Sequence, residues 1–261
     1  MTVISRALAS QWRVLHALMM REVKSRFGKM KLGYLWAFIE PLLFIGFFAV
    51  LWGVFRGTPG GLPLLSFLVT GFGSFLFFRN VMSYTSMSIR INRSLMTYPQ
   101  VTPFGLVVAR ALLEIATLTV VYAGLLIAAQ SLEQDVRMEN PLLLALVLLL
   151  MATTGLGLGL IVSTIVPIFP SMQQIIEAAV SRPAFLLSGT FFYAGMMPED
   201  IREYLLFNPL IHGTEIARSA TFGRAHDWYG DLSYLATWAV ALLLFGLLFQ
   251  RAMRKRLYQI L

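Results

Sequence analysis

Long apolar runs separated by short polar segments dominate the chain. A helix that crosses a bilayer needs about 20 mostly apolar residues, and six runs fit this requirement. They cover residues 34–55, 64–86, 105–129, 141–166, 178–195 and 231–250. The run at 178–195 is the weakest, because it is short and contains Arg182 followed by Pro183. The pattern predicts an all-α polytopic membrane protein with six transmembrane helices.

Residues 8–30 have a different, amphipathic pattern. One broad face of a helical wheel carries Leu8, Trp12, Leu15, Met19, Val23 and Phe27. The other side carries Arg13, Arg21 and Lys24. A helix of this kind lies in the membrane interface with its cations towards water and lipid phosphates. We predict a cytoplasmic interfacial helix within residues 1–33, which could be a lipid anchor only or could also contact a partner.

The polar segment 189–224 predicts two short helices between the last two runs. Glu199 and Asp200 follow a proline, and acids are favoured in the first turn of a helix. Asn208 can cap a second helix that has Pro209 at its first position. Each helix is too short to cross the bilayer, yet apolar enough to enter the outer leaflet. We predict two re-entrant periplasmic helices that form a gate or a lateral exit.

Composition supports a membrane protein and argues against other classes. The chain is 57% apolar and 13% charged, whereas soluble domains have about 25% charged residues. The net charge of +8 does not indicate nucleic-acid binding, because no polar stretch is long enough for a nucleic-acid-binding domain. The absence of cysteine excludes disulfides and cysteine-based metal sites. We expect no cleaved signal peptide, since the N-terminal segment lacks a continuous apolar core.

Basic residues are distributed unevenly along the chain. If both ends of a six-helix protein are cytoplasmic, the inner segments hold thirteen Lys or Arg and the outer segments five. The positive-inside rule therefore places both termini in the cytoplasm. Tyr34 and Trp36, directly after the N-terminal basic run, fit an interfacial aromatic belt. We predict a single membrane domain over residues 1–261, in which 34–250 contain the six helices and 251–261 form a cytoplasmic tail.

Arg79 falls well inside the second apolar run. An arginine at a helix centre costs at least ~2.5 kcal/mol to insert, so it usually faces a bundle interior or a wet cavity. A polar stripe continues from it in helical steps, through Ser83, Ser86 and Arg90, with Tyr84 beside it. Two interpretations stay open. The stripe could face an anionic or sugar-rich cargo, or it could be a packed seam in which Arg79 pairs with Glu40 or Glu114.

Two further arginines lie within apolar runs. Arg110 and Glu114 are four residues apart and can meet on one helix face, which we interpret as a structural pair. Arg182 precedes a proline that bends the helix. It could line a cavity or extend to the headgroups.

The fourth run contains closely spaced glycines, at Gly155, Gly157 and Gly159. They do not complete a dinucleotide-binding pattern, because Leu160 follows. In an apolar helix, small residues favour close helix packing. The chain also lacks the G-x-x-x-x-G-K-[ST] pattern, so it cannot bind ATP through a P-loop.

The segment 90–104 is the main predicted cytoplasmic loop. It carries Arg90 and Arg93, then Leu95, Met96 and Tyr98. A short helix with exposed apolar side chains could dock into the groove of a partner, or the segment could simply rest on the headgroups.

His212 and Glu215 are three residues apart on the second short outer helix. A capping or gating contact is favoured over a metal site, because the sequence offers no third ligand. We therefore predict no metal and no catalytic site. An intramembrane enzyme that acts on lipid-linked glycans, with His212 and Glu215 as acid and base, is the alternative from a different class.

Several motifs together resemble a known family. LMMREVKSRFGKMKLGYLWAFIEP, VVARALLEI, FPSMQQII and LLFNPLIHGTEIAR occur in order along nearly the whole chain. They resemble the permease subunits of type-2 ABC exporters, and more specifically the group 2 capsular-polysaccharide export permeases of Gram-negative bacteria. O-antigen export permeases share the layout but match the first motif less well, and they or a teichoic-type glycan exporter are the alternative within this class.

The resemblance implies an inner-membrane exporter of lipid-linked, often anionic, polysaccharide. It implies a homodimer with two copies of a separate ATPase subunit, which would bind ATP and Mg, and no cofactor on this chain. It also implies periplasmic co-polymerase-like and outer-membrane export partners, and no nucleic acid. The N-terminal helix and the 90–104 loop would then contact the ATPase.

These arguments give three sets of predicted functional residues. The ATPase contacts are Arg21, Glu22, Lys24, Arg26, Arg90, Arg93, Leu95, Met96 and Tyr98. The substrate path, from cytoplasmic entry to aromatic exit, is Arg79, Ser83, Tyr84, Ser86, Arg90, Arg182, Phe191, Phe192 and Tyr193. The periplasmic gate is Asn208, Pro209, His212, Glu215 and Arg218.

Overall fold

The computed structural model describes residues 3–27, 35–55, 59–133, 138–223 and 227–260, without the side chains of 3–10, 25–27, 55, 59 and 260. Across these ranges the chain is helical and contains no strand. The α-helices are α1 Val3–Phe27, α2 Trp36–Phe55, α3 Leu64–Ser86, α4 Ser88–Ile91, α5 Pro103–Leu132, α6 Pro141–Ile165, α7 Met172–Ile176, α8 Arg182–Leu187, α9 Glu199–Leu205, α10 Pro209–Phe222 and α11 Leu232–Ile260. The predicted interfacial Tyr34 and the side chain of Arg26 lie outside the described residues.

Within the described ranges, five helices are long and apolar enough to cross a membrane: α2, α3, α5, α6 and α11. They correspond to five of the six predicted runs. The starts of α5 and α6 follow from their capping residues, since Thr102 accepts a hydrogen bond from Gly105 N at 3.0 Å and Asn140 accepts one from Leu143 N at 3.0 Å. Each helix then has a proline at its first position, where no N–H is needed.

The sixth predicted run, 178–195, is not confirmed as a transmembrane helix. The short helix α7, a π turn at Glu177–Ser181 and the short helix α8 follow one another, and a loop begins at Ser188. At 1.5 Å per residue, this helical stretch reaches about 24 Å, less than the ~30 Å hydrocarbon core. Pro183 has no N–H to donate and its ring disturbs the preceding turn, which explains why regular α-helix does not continue through it.

Helix α3 lies at the centre of the fold, where it contacts α2, α5, α6 and α10. Phe67, Phe75 and Phe78 are almost completely buried along it. The predicted role of the α6 glycines in close packing is confirmed. A Cβ atom on Gly155 would meet the carbonyl of Phe78, and one on Gly157 would lie 2.6 Å from the backbone of Leu242 in α11. Glycine on α6 therefore brings three helices together.

The predicted N-terminal helix is present as α1 and packs against α5. Glu22 is buried and forms an ion pair with Arg110 of α5, a partner that the sequence interpretation missed. Arg21 Nη1 donates a hydrogen bond to Asn92 Oδ1 at 2.6 Å, just after α4. These contacts attach α1 to the rest of the chain, whereas its placement in the membrane interface stays a prediction.

We predict that Gly155→Ala lowers the melting temperature of the detergent-solubilised chain. The added methyl group would press on the Phe78 backbone, and overpacking of this kind costs about 1–3 kcal/mol. Gly53→Ala is the matched control, because a Cβ atom on Gly53 would meet nothing within 4 Å. Equal melting temperatures for the two variants would contradict the close packing of α6 on α3.

Candidate functional site

A cavity of about 510 Å³ lies between α3, α5 and the α7–α8 segment. Its lining is Glu40, Arg79, Asn80, Ser83, Tyr84, Met87, Ile91, Arg110, Gln173, Gln174, Glu177 and Arg182. A second cavity of about 480 Å³ is lined by Phe44, Phe72, Arg79, Glu177, Ser181, Arg182, Phe185 and Leu186. Arg79, Glu177 and Arg182 border both. The two cavities are therefore neighbours, and the second adds the aromatic residues Phe44, Phe72 and Phe185 to the charged residues that both share.

Arg79 stands where the two cavities meet. Its Nη1 atom lies 4.0 Å from Glu40 Oε1, and the two side chains are 35% and 57% exposed. Of the two acids considered from the sequence, Glu40 is the one that the structure pairs with Arg79. At this distance and exposure the contact is a weak ion pair. Arg79 thus has an acidic neighbour and also faces open space, which combines both interpretations of the sequence.

Glu177 is a lining residue that the sequence interpretation missed. It begins the π turn, and its Oε2 atom accepts hydrogen bonds from Ser83 Oγ at 3.1 Å and from Ser181 Oγ at 3.3 Å. The contact with Ser83 joins the broken segment to α3. In the sequence, Glu177 could have been recognised as a candidate because it is a single acid a few residues before Arg182 and Pro183, within an otherwise apolar region.

Three arginines and two glutamates supply the charges of the cavity. Arg79, Arg110 and Arg182 line it together with Glu40 and Glu177. Glu22 lies outside the lining but forms the ion pair with Arg110. Hydroxyl and amide groups supply the remaining polar lining. A cavity of this composition can accept an anionic group and can form hydrogen bonds with sugar hydroxyls.

The predicted polar stripe follows the cavity for only part of its length. Ser83 and Tyr84 line the wall as predicted. Ser86 is buried and donates its hydroxyl proton to Met82 O at 2.6 Å, within its own helix. Arg90 lies in α4 and is exposed, outside the lining. The reason is that α3 ends at Ser86, so the helical steps that define the stripe do not continue to Arg90.

The three aromatic residues predicted at the exit have different surroundings. Phe191 joins a cluster of rings that borders the second cavity, with centroids 4.3 Å from Phe48 and 5.1 Å from Phe185. Tyr193 packs against Trp228 at 5.6 Å. Phe192 contributes its backbone carbonyl, which accepts a hydrogen bond from Arg218 at 2.7 Å.

Helix α10 binds the backbone of the loops around it through buried polar side chains. Asn208 Oδ1 accepts from Leu210 N at 3.1 Å, and Asn208 Nδ2 donates to Leu187 O at 3.1 Å. Thr214 Oγ1 donates to Ser188 O at 2.6 Å. These bonds hold the end of α8 and the start of the following loop against α10.

His212 connects two other segments to α10. The N–H of Asp231 donates to His212 Nδ1 at 2.9 Å, and His212 Nε2 lies 2.8 Å from Leu206 O. Because Nδ1 accepts, the proton of the neutral ring resides on Nε2 and is donated to Leu206. The ring thereby joins the end of α9 to the start of α11.

Glu215 and Arg218 are fully buried and complete this arrangement. Glu215 accepts hydrogen bonds from Ala194 N at 2.9 Å and Tyr229 N at 3.1 Å. Arg218 donates to the carbonyls of Phe192 at 2.7 Å and Thr190 at 3.0 Å. Burial lowers the pKa of Arg218 to about 10, so the guanidinium is still charged at neutral pH.

These contacts remove the geometric basis for an acid–base pair at His212 and Glu215. Both ring nitrogens of His212 and both carboxylate oxygens of Glu215 engage backbone groups. The part of the chain that is described also contains no cluster of three or more potential metal ligands. The predicted gate residues His212, Glu215 and Arg218 therefore hold the backbone of the surrounding loops in place.

The predicted ATPase contacts fall into exposed and buried sets. Arg21, Lys24, Arg90, Arg93 and Tyr98 are exposed, whereas Glu22 is buried, Leu95 and Met96 are half-buried, and the side chain of Arg26 is outside the described residues. Met96 packs on a small core cluster of Ile89, Val107, Leu160 and Leu257. The exposed large apolar side chains of the 90–104 segment are Ile91 at 56%, Tyr98 at 62% and Phe104 at 47%.

Comparisons with known proteins agree with the resemblance described above. A family model for ABC-2 type transporters matches residues 13–222. The capsule polysaccharide export inner-membrane protein CtrC of Neisseria meningitidis serogroup B is 34% identical over 92% of this chain and 91% of its own length. The capsule polysaccharide export inner-membrane protein BexB of Haemophilus influenzae is 30% identical over 94% and 93%. The polysialic acid transport protein KpsM of Escherichia coli is 31% identical over 90% and 91%.

We predict that Glu215→Gln accelerates hydrogen exchange in the loops that Glu215 holds. Glutamine can accept with only one side-chain oxygen, so either Ala194 N or Tyr229 N loses its partner, at a cost of about 1–3 kcal/mol. Hydrogen-exchange mass spectrometry of residues 190–195 and 229–231 measures the effect. Glu203→Gln on the exposed surface of α9 is the matched control. Unchanged exchange in Glu215→Gln would argue against the loop-holding role.

Proposed function

Because the chain belongs to the ABC-2 type transporter family, we propose that it is the transmembrane subunit of an ATP-driven exporter that moves lipid-linked capsular polysaccharide out of the cytoplasm. Two of the relatives carry names that specify capsule polysaccharide export, and the third is a polysialic acid transport protein. The structural observation that carries the proposal is the arginine-rich cavity among membrane-crossing helices.

The cavity suits this cargo chemically. Charged side chains among membrane-crossing helices are costly unless they face water or a partner, and the three arginines around one cavity support the proposal that anions enter it. Ser83, Gln173 and Gln174 can form hydrogen bonds with sugar hydroxyls. The ring cluster around Phe44 and Phe185 borders the adjacent cavity, where flat side chains can stack on sugar rings.

The proposal includes six crossings, with the α7–α8 segment as the broken fifth one. A short, kinked crossing is tolerated where protein or a water-filled cavity covers its backbone, and this segment borders both cavities. With six crossings, the positive-inside rule places both termini in the cytoplasm. The proposed location is the bacterial inner membrane, and the whole chain forms one membrane domain.

The proposed complex contains two copies of this chain and two copies of a separate ABC ATPase. The ATPase binds ATP and Mg, because this chain has no P-loop. This chain would have no catalytic site and no cofactor of its own. Periplasmic co-polymerase-like and outer-membrane export proteins would receive the polysaccharide.

A physical route for coupling connects the proposed ATPase surface to the cavity. Arg21 of α1 binds Asn92 next to the exposed side chains of α4 and Tyr98. One residue further along α1, Glu22 pairs with Arg110, which lines the cavity. A shift of α1 on ATPase closure would therefore move a charge at the cavity wall. In this hypothesis α1 has two stable positions, as do the moving elements of other proteins that switch between conformations.

At the outer side, α10 and the loop it holds form the proposed periplasmic gate. The loop borders the ring cluster through Phe191, and α10 fixes it through Thr214, Glu215 and Arg218. Opening requires that these hydrogen bonds rearrange together.

We predict that Arg79→Ala and Arg182→Ala each lower surface polysaccharide about tenfold, since a hydrogen bond to a charged group is worth about 1.5–3 kcal/mol. An immunoassay on cells in which this chain is the sole permease measures the effect, with membrane levels of the chain checked in parallel. Lys255→Ala, which removes an exposed charge outside the cavity, is the matched control. Normal export by both arginine variants would refute the cavity as the substrate path.

We predict that Tyr98→Ala reduces the amount of ABC ATPase that co-purifies with the tagged chain, because Tyr98 is exposed beside the proposed contact surface. Tyr204→Ala is the matched control, since Tyr204 is 78% exposed on α9 at the opposite side. Met96→Ala should also lower thermal stability, because Met96 packs on the core. Equal ATPase recovery with the two tyrosine variants would place the contact elsewhere.

A further inference from the structure

A third cavity lies apart from the proposed substrate path, where the start of α5 meets the end of α11. Its volume is about 380 Å³, and its lining is Thr102, Pro103, Phe104, Leu247, Gln250, Arg251 and Arg254. The α11 residues among these recur at helical spacing and therefore share one face. Nothing in the proposed export path uses this cavity.

The charged groups of this cavity are cations. Arg251 and Arg254 supply two guanidinium groups, and no carboxylate belongs to the lining that the described residues provide. The 30-residue helix α5 begins at Pro103, so the positive end of its dipole lies here. A cluster of this kind favours an anion.

Gln250 provides independent support for a ligand. The residue is only 6% exposed, and its Nε2 atom is buried without a hydrogen-bond partner among the described residues. A buried donor that lacks a partner costs about 1–3 kcal/mol. An acceptor oxygen placed in the cavity would remove this cost.

The remaining walls are apolar and continue into the surface that faces the bilayer. Leu247 and Phe104 border the cavity, and Phe104 is 47% exposed. Leu244 and Leu248 of the same transmembrane helix are 54% and 66% exposed. The cavity therefore joins a cationic site to a lipid-facing surface at the end of two membrane-crossing helices. Basic pockets between such helices are typical sites for acidic phospholipid headgroups.

We propose that this cavity binds the phosphate headgroup of an anionic bilayer phospholipid, with Arg251, Arg254 and Gln250 Nε2 as donors and the apolar walls against the acyl chains. The lipid would fix the end of α11 to the start of α5, at the end of the 90–104 segment. This site is distinct from the arginine-rich cavity, so its occupancy does not depend on the proposed transport activity.

Native mass spectrometry of the full-length chain tests the proposal. The chain is produced in a host without capsule genes, so that a retained lipid cannot be the cargo, and is titrated with phosphatidylglycerol or with zwitterionic phosphatidylcholine. We expect preferential binding of phosphatidylglycerol and no displacement of this lipid by inorganic phosphate. We also expect about fivefold weaker binding in Arg254→Gln, because the loss of one cation near an anionic lipid surface weakens binding by about this factor. Gln250→Leu should also weaken binding, although it leaves the net charge unchanged.

Arg256→Gln is the matched control. It removes the same charge two residues along α11, on the opposite face and outside the cavity lining. It should bind phosphatidylglycerol as the unmodified chain does. Equal loss in Arg254→Gln and Arg256→Gln would reduce the effect to general electrostatic attraction and overturn the proposal. Unchanged binding in both Arg254→Gln and Gln250→Leu would also overturn it, as would displacement of the lipid by inorganic phosphate.

Discussion

The close approach of α6 to α3 is the contact on which the rest of the fold depends. Lipid tails are as apolar as the side chains of these helices, so burial alone gives little drive for association in a membrane. Gly155 lets the α6 backbone touch Phe78 of α3, and a Cβ atom on Gly157 would lie only 2.6 Å from the backbone of Leu242 in α11. With α3 fixed at the centre, Arg79 and Ser83 are directed to the cavity that faces the broken segment.

The loop that follows the broken segment needs hydrogen-bond partners for its backbone. Buried polar backbone groups need hydrogen-bond partners inside the protein, and α8 ends at Leu187, so the loop after it has no helical partners. Polar side chains of α10 supply many of the missing partners: Thr214 binds Ser188, Arg218 binds Thr190 and Phe192, and Glu215 binds Ala194. Polar side chains of α10 therefore hold this loop in place.

Charged residues connect parts of the chain that are far apart in sequence. Glu22 reaches Arg110, Glu177 is bound by Ser83, and Arg79 faces Glu40. Each connection ends at the same cavity, so a displacement of α1 or of the α7–α8 segment would change the charge that a cargo meets. The proposed exporter would need this property, since its path would have to respond to ATPase movements at the cytoplasmic surface.

The sequence by itself determined most of the long helices, because apolar length, proline and capping residues act locally, although the last run was predicted to end at 250 and α11 continues to Ile260. It predicted five of the long helices, the N-terminal helix, the cap at Asn208 and the close packing of the glycines. Tertiary structure alone decided which charges meet. Glu22 with Arg110, Glu177 in the cavity and Met96 in a core cluster depend on residues distant in the chain. The stripe ended early because α3 stops at Ser86, and the run at 178–195 broke at the π turn that precedes Pro183.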